Sequence, residues 1–417
     1  VCFTTAVGLR ASLQPTKNYG ERSCVNRSGL MDVSIIGSLE EVSAGEWNAL
    51  SADYPFTRHE FLVALERHHC VGKQFGWYPQ HIIVRDPSLS EPGQAQGKLV
   101  GAIPMYLKDN SYGEFVFDYA WAEAYSRSGL KYYPKLVVAM PYTPATGPRL
   151  LVGQGPRQDE IESLLIRAAL QHAENTDVSS LHFLFTDDRT TKLLEAQGLM
   201  RRIDCQFQWE NNHYQSFDAF LSTFSAQKRK KVKRERRQVA EADIEIEVLN
   251  GHDISPSQWE TFHYFYQIPF FTKSGTPTLS LDFFKEIGET MPENIVLMLA
   301  KHQGRYVAAA FNFCSGHTLY GRHWGSDQRF HSLHFELCYY RGIDYCIEHG
   351  LDRFEPGAQG EHKISRGFMP TPTYSAHWLS HPEFRSAIDD FLGREKRAME
   401  DYIDPLHSHS PYKTDTN

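Results

Sequence analysis

Short apolar runs recur along the chain, separated by stretches in which apolar residues return every three or four positions. The first kind predicts strands and the second amphipathic helices. Residues 32–36 open the series as a strand. Residues 46–50 and 60–66 follow as helices, with Pro55, Phe56, Arg58 and His59 between them. A loop over residues 86–98 is marked by Pro87, Ser88, Ser90, Pro92, Gly93 and Gly97. Residues 99–107 then read as a buried strand in which Pro104 predicts an edge or a bulge. Residues 114–117, 136–138 and 149–152 are expected to continue the sheet. An amphipathic helix over 159–174 leads to a strand at 181–185.

The second half repeats this order. Residues 294–300, 306–313 and 319–324 read as strands, 335–349 as a helix and 352–355 as the strand after it. Each half runs strand, strand, helix, strand, which predicts a duplicated architecture. The expected units are 32–215 and 216–400. An extension lies before them at 1–31, disordered or a targeting peptide, and a flexible tail after them at 401–417.

A charge run marks the seam: residues 225–239 hold Lys228, Arg229, Lys230, Lys231, Lys233, Arg234, Arg236 and Arg237, with Glu235 as their single acid. It is expected to be helical, continuing from residues 217–221. Arg229, Lys233 and Arg236 then share one face. Like-charge helix neighbours cost about 0.2–0.5 kcal/mol each, so such a face is either well solvated or holds a counter-anion. Guanidinium groups match phosphate oxygens in two-point geometry, which points to a phosphate-bearing small molecule, a lipid-linked sugar or a transfer RNA end.

Composition narrows the class. The 417 residues carry a formal net charge of −8, which argues against general coating of nucleic acid. No apolar run is long enough to span a membrane. Seven scattered cysteines without a C-x-x-C pair predict reduced thiols in a cytoplasmic protein. The histidines show no ligand spacing, so no metal is expected. Gly153 and Gly155 before a helix lack the fuller glycine pattern of a phosphate loop and read as a turn.

The densest chemistry lies at residues 354–368. Glu355, Glu361, His362, Lys363 and Arg366 fall close together among three glycines. Glu355 ends a strand, where sheet crevices bind ligands. Glu355, Glu361 or His362 is suited to accept a proton from an attacking amine. Lys363 and Arg366 are suited to hold an anion or a developing oxyanion. Arg322, His323 and Trp324 end another strand and are expected to face the same crevice. Arg58 and His59 are either a helix cap or the wall of an acceptor pocket.

With these residues in place, the chain resembles the FemAB-like branch of the GNAT acyltransferase superfamily, a group of predicted N-acyltransferases and peptidoglycan biosynthesis/recognition proteins. The carriers are residues 46–50, Pro55-Phe56 with 58–62, 111–118, 132–136, 146–150 and 355–363. The resemblance implies an α/β (α+β) fold of tandem duplicated GNAT-like domains, with mixed central sheets flanked by helices. It also implies transfer of an acyl or aminoacyl group to an amine, from acyl-CoA or aminoacyl-tRNA, with no tightly bound cofactor. A non-catalytic module recognising cell-wall precursors is the other reading. Acetyl-CoA-dependent members carry a Q/R-x-x-G-x-G/A turn before a helix. Residues 325–331 here lack it.

Overall fold

The computed structural model describes residues 31–51, 53–89, 97–358 and 360–413. The expected extension, the tip of the 86–98 loop and Gln359 lie outside these residues. The first half contributes β1 (Asp32–Ile36), β2 (Trp77–Pro79), β3 (His81–Asp86), β4 (Lys98–Ile103), β5 (Tyr106–Lys108), β6 (Lys135–Val138), β7 (Leu151–Val152), β8 (Ser180–Thr186) and β9 (Met200–Glu210). The second contributes β10 (Ile244–Asn250), β11 (Ile295–His302), β12 (Arg305–Cys314), β13 (Thr318–Ser326), β14 (Arg353–Glu355) and β15 (Met369–Leu379).

These strands form a four-stranded sheet, β1-β3-β4-β7, and an eleven-stranded sheet, β10-β11-β12-β13-β14-β9-β15-β8-β6-β5-β2. Pro104 separates β4 from β5 and sends them into different sheets, as a residue without a backbone donor does at a break in pairing. The large sheet is antiparallel except at β6 with β8 and β13 with β14. Each parallel pair needs a helical crossover. The first is Gln158–Asn175 and the second runs through Leu333–Phe335, a π-helical stretch Glu336–Tyr340 and Arg341–Glu348.

The halves are joined through the sheet itself. β9 pairs with β14, and β15 lies between β9 and β8. The chain therefore crosses back over the seam near residue 215 before it ends. Pro370 and Pro372 sit where β15 pairs with β9 alone, so no ladder on the other side lacks a donor. After β15 the helix Pro382–Ser408 covers β9 and β15, and Tyr412 packs on Phe224.

Period-two alternation fills both faces of the second half. Ile295, Leu297 and Leu299 of β11 face an aromatic core with Phe283, Phe284 and Phe311, which extends to Trp47, Phe56 and Phe61 of the first half. Val296, Met298 and Ala300 face a second core with Leu337, Tyr340 and Phe354. The helix Pro256–Thr272, started by a Ser255–Gln258 capping box, lies so close to β13 that a Cβ at Gly325 would collide with the Phe265 carbonyl.

Three sequence expectations need correction. Residues 114–117 are a loop, because Gly113 (φ +79°) and Phe115 (φ +60°) turn the chain and point Glu114 inward to Lys135, 2.7 Å away. The strand expected at 149–152 reduces to Leu151–Val152, since Arg149 turns into the core. The basic helix is not continuous with residues 217–221. Phe217–Ser222 and Ala226–Glu241 are separate helices, divided where Phe224 pairs with Tyr412.

Candidate functional site

β13 and β14 pair over three positions only, Thr318 with Arg353, Leu319 with Phe354 and Tyr320 with Glu355. Beyond Tyr320 the strands part. β13 continues along β12 with a bulge at Arg322, between the pairs Phe311–His323 and Asn312–Gly321. The chain after β14 turns away through Pro356 and Gly357, whose φ of +86° suits glycine. Between the diverging strands lies a cavity of about 260 Å³. Arg322, His323 and Trp324 line one side of it. His362 and Lys363 line another, and His334, Cys338 and Tyr339 of the crossover close it. The crossover contributes through its π-helical stretch, a geometry that recurs at functional sites.

Lys363 is 2% exposed and its Nζ donates to the Gly357 carbonyl at 2.7 Å. Burial brings its ammonium down to about 8. Arg322 donates to the Tyr142 carbonyl and lies over the Phe56 ring, and burial lowers it to about 10. Among the described residues, its remaining guanidinium donors have no protein hydrogen bond. His323 sits among Tyr266, Phe311 and Phe284, and burial, then Arg322, holds its imidazole at about 3. His334 stands at about 4 through burial and the neighbouring His362, Arg366 and Lys363. The His362 ring reaches Tyr339 Oη at 2.9 Å. Burial and the charges of Arg366, Lys363 and Lys231 lower its pKa.

Glu355 is behind this wall. It is 5% exposed, and burial raises its carboxyl to about 7 despite Arg353, Arg322 and Arg149. Its Oε2 has no hydrogen-bond partner. A carboxyl of this kind stays poised near neutrality and sets the field felt by Arg322.

Several other expected site residues stand elsewhere. Arg366 is consumed by a buried two-point pair with Glu235 at 2.9 and 3.0 Å and stacks on Phe335. Glu235 also accepts from Tyr340. The lone acid of the basic run therefore faces inward, beside Val232 and Val239, rather than relieving its neighbours. Glu361 is exposed and accepts from Tyr402 at 2.8 Å. Arg58 pairs with Glu60, and the His59 ring nitrogen reaches the Leu39 and Val42 carbonyls, so both secure the first-half helices. Arg236 turns from the shared basic face to Glu336 and Asp344 and lies 4.3 Å from the Phe217 ring centroid.

The rest of the basic helix faces outward. Arg229, Lys230, Lys233, Arg234 and Arg237 border a surface recess. Lys233 reaches Asp218 and Arg237 reaches Glu241. Lys228, Arg229, Lys230, Lys231 and Arg234 form no ion pair among the described residues. The cavity residues that sequence reasoning missed are Asn312, His334, Cys338 and Tyr339. Cys338 and Tyr339 lie on what reads as an ordinary amphipathic helix, and their π-helical register leaves no pattern in the sequence. His334 lies just before that helix. No cluster of His, Cys, Asp or Glu among the described residues has metal-binding geometry.

Two lobes, each with one parallel strand pair in an otherwise antiparallel array and one of them open, define a tandem acyltransferase-type α/β fold. The FemAB-like family model, described as peptidoglycan biosynthesis/recognition, matches residues 38–414, and the chain belongs to that family. The chain is similar to FemX at 12% identity, with 84% of this chain and 98% of that chain covered and a TM-score of 0.50, a likeness of fold. A tandem GNAT protein from the clavulanic acid biosynthesis pathway matches at 14% identity, covering 84% and 99%, with a TM-score of 0.46. L-PGS from Bacillus licheniformis matches at 11%, covering 71% and 86%, with a TM-score of 0.45. No curated protein matches the chain.

Proposed function

We propose that the chain transfers an acyl or aminoacyl group to an amine in the cavity between β13 and β14. One observation carries this reading. The cavity opens at the carboxyl ends of a parallel strand pair, and buried groups with displaced pKa values surround it. Family membership supports the same reaction class.

In this reading a neutral amine attacks the acyl carbonyl. Negative charge builds on the carbonyl oxygen, where the under-bonded Lys363 ammonium and Arg322 guanidinium stabilise it. The two groups also favour the neutral, nucleophilic form of the amine, because a second cation is repelled there. His362, neutral at pH 7 since its pKa is lowered, takes the proton that the amine loses as the C–N bond forms. The C–S bond of an acyl-CoA, or the C–O ester bond of an aminoacyl-tRNA, then breaks, and the thiol or hydroxyl leaves with that proton. Holding both reactants in a small cavity supplies much of the remaining rate. The outward cations of the basic helix hold the phosphates of the donor, acyl-CoA or aminoacyl-tRNA, or of an acceptor such as a lipid-linked, peptidoglycan-type precursor. Lys231 contributes charge to both regions, since it faces His362 from that helix. No described helix is long and apolar enough to cross a membrane.

The test is turnover across acyl-CoA and aminoacyl-tRNA donors with an amine acceptor panel. His362→Ala should lower kcat by about 10²–10⁴-fold, the usual weight of a proton acceptor, with the melting temperature unchanged. Saturable ligand binding without product for any donor would favour a recognition module instead.

A further inference from the structure

The walls of the cavity have one sign of charge. Arg322 and Lys363 are its two cations, and no carboxylate lines it. Lys363 is almost fully buried, yet its three ammonium donors share one protein acceptor, the Gly357 carbonyl. Arg322 likewise spends one bond on the Tyr142 carbonyl. His323 and His334 have no hydrogen bond to any described residue, and both are neutral near pH 7. Each neutral imidazole keeps one N–H donor. The nearest acid, Glu355, lies behind Arg322 and titrates near neutrality, so it offsets at most one cation. Lys363 is buried and Arg322, His323 and His334 are half-buried, and their donors without protein acceptors converge on this small space, where one acceptor group would meet several of them at once.

Resting on the reading of this cavity as the acyl-transfer site, we infer that it selects a small substrate carboxylate, held by the His323 and His334 N–H groups and by those Lys363 and Arg322 donors that the reacting carbonyl oxygen leaves free. The carboxylate belongs either to the transferred acyl group, as in a short dicarboxylic monoacyl chain, or to the acceptor, as in a free amino acid.

Trp324 lines the cavity and reports occupancy by its fluorescence. Full-length protein is titrated with glutarate, with neutral glutaramide and with cationic alaninamide. Glutarate should bind at least tenfold more tightly than either, Lys363→Met should remove that preference and Lys363→Arg should restore most of it. Equal binding of glutarate and glutaramide by the wild-type chain, or a preference for alaninamide, overturns the inference without need of a variant. Two turnover arms locate the carboxylate. Succinyl-CoA against acetyl-CoA tests the acyl group, and glycine against glycinamide tests the acceptor. A preference in either arm supports the inference. Glutarate selectivity with no product from any donor keeps the carboxylate site and removes the transferase reading. Product from the neutral pair at the rate of the charged pair, in both arms, removes the carboxylate site and keeps the transferase.

Discussion

The two parallel strand pairs of the large sheet have opposite fates. In the first half β6 and β8 pair through Leu136–Leu181, Val137–His182 and Val138–Phe183, then separate. The gap is stitched shut. Arg149, fully buried, donates to the Leu184 carbonyl at 2.7 Å, the Ala145 carbonyl at 2.8 Å and the Pro148 carbonyl at 3.1 Å. A bridge between Gly147 and Thr186 closes it further, and Tyr54 Oη donates to the same Ala145 carbonyl at 2.9 Å. In the second half the equivalent gap holds water-accessible space and a lysine with one acceptor, and behind its wall lies a glutamic acid with an orphaned oxygen. A guanidinium whose three nitrogens each bond a carbonyl makes a structural plug. A cation and an acid left short of partners mark a site kept open for a ligand. One duplicated element thus supplies rigidity on one side of the sheet and chemistry on the other.

The sharpest way to break this contrast is to remove the plug. Arg149→Ala removes three charge-assisted bonds to the Leu184, Ala145 and Pro148 carbonyls, each worth about 1.5–3 kcal/mol. The expected loss of stability is about 5 kcal/mol, read by urea unfolding. A loss under about 1 kcal/mol would mean that the first gap is not held by this side chain.

The open gap should respond in the opposite sense. Glu355 holds its proton up to about pH 7 in the folded chain against an ordinary value of 4.5. The folded state therefore binds more protons than the unfolded one between these two values, and stability falls as pH rises through that window. At pH 8 the cost is about 3 kcal/mol at most. Glu355→Gln removes it, so the variant should be more stable than the wild type at pH 8 and equal to it at pH 4. A variant less stable at pH 8 would show Glu355 to be an ordinary structural carboxylate.

Much of this was legible in the sequence. The strand-strand-helix-strand order of each half survives in the structure, because buried strands and crossover helices impose their periods on the chain. Pro104 reads as an edge or bulge within one strand over 99–107, and it instead breaks that strand into two that enter different sheets. Residues 322–324 and 362–363, far apart in sequence, were expected in one crevice, and they line one cavity. What stayed hidden depends on tertiary partners. β15 carries two prolines and no element is expected there from the sequence, yet it sits inside the sheet because its prolines face an unpaired side. Arg366 and Arg149 look alike as isolated cations near glycines, and only packing shows both as internal pairs. The inward turn of Glu235 needed Arg366 and Tyr340, about 100 residues or more distant in sequence.

The smallest expected effect on stability comes from the basic helix, and it tests how far the open site reaches. Its buried face, Val232, Glu235 and Val239, anchors it, whereas Arg229, Lys230 and Arg234 point outward without ion pairs. Replacing these three by Ala should change stability by about 0.5 kcal/mol or less, since surface substitutions away from packed features do little. Any change should be a gain, because like charges one turn apart repel. Binding is where the change should appear. If the helix holds donor or acceptor phosphates, the slope of log affinity against log salt should become shallower by roughly one for each phosphate that the variant no longer neutralises. Lys363→Met, by contrast, should lower turnover and leave that slope as it is, because its ammonium is shielded inside the cavity. A triple variant with an unaltered salt slope would confine recognition to the gap between β13 and β14.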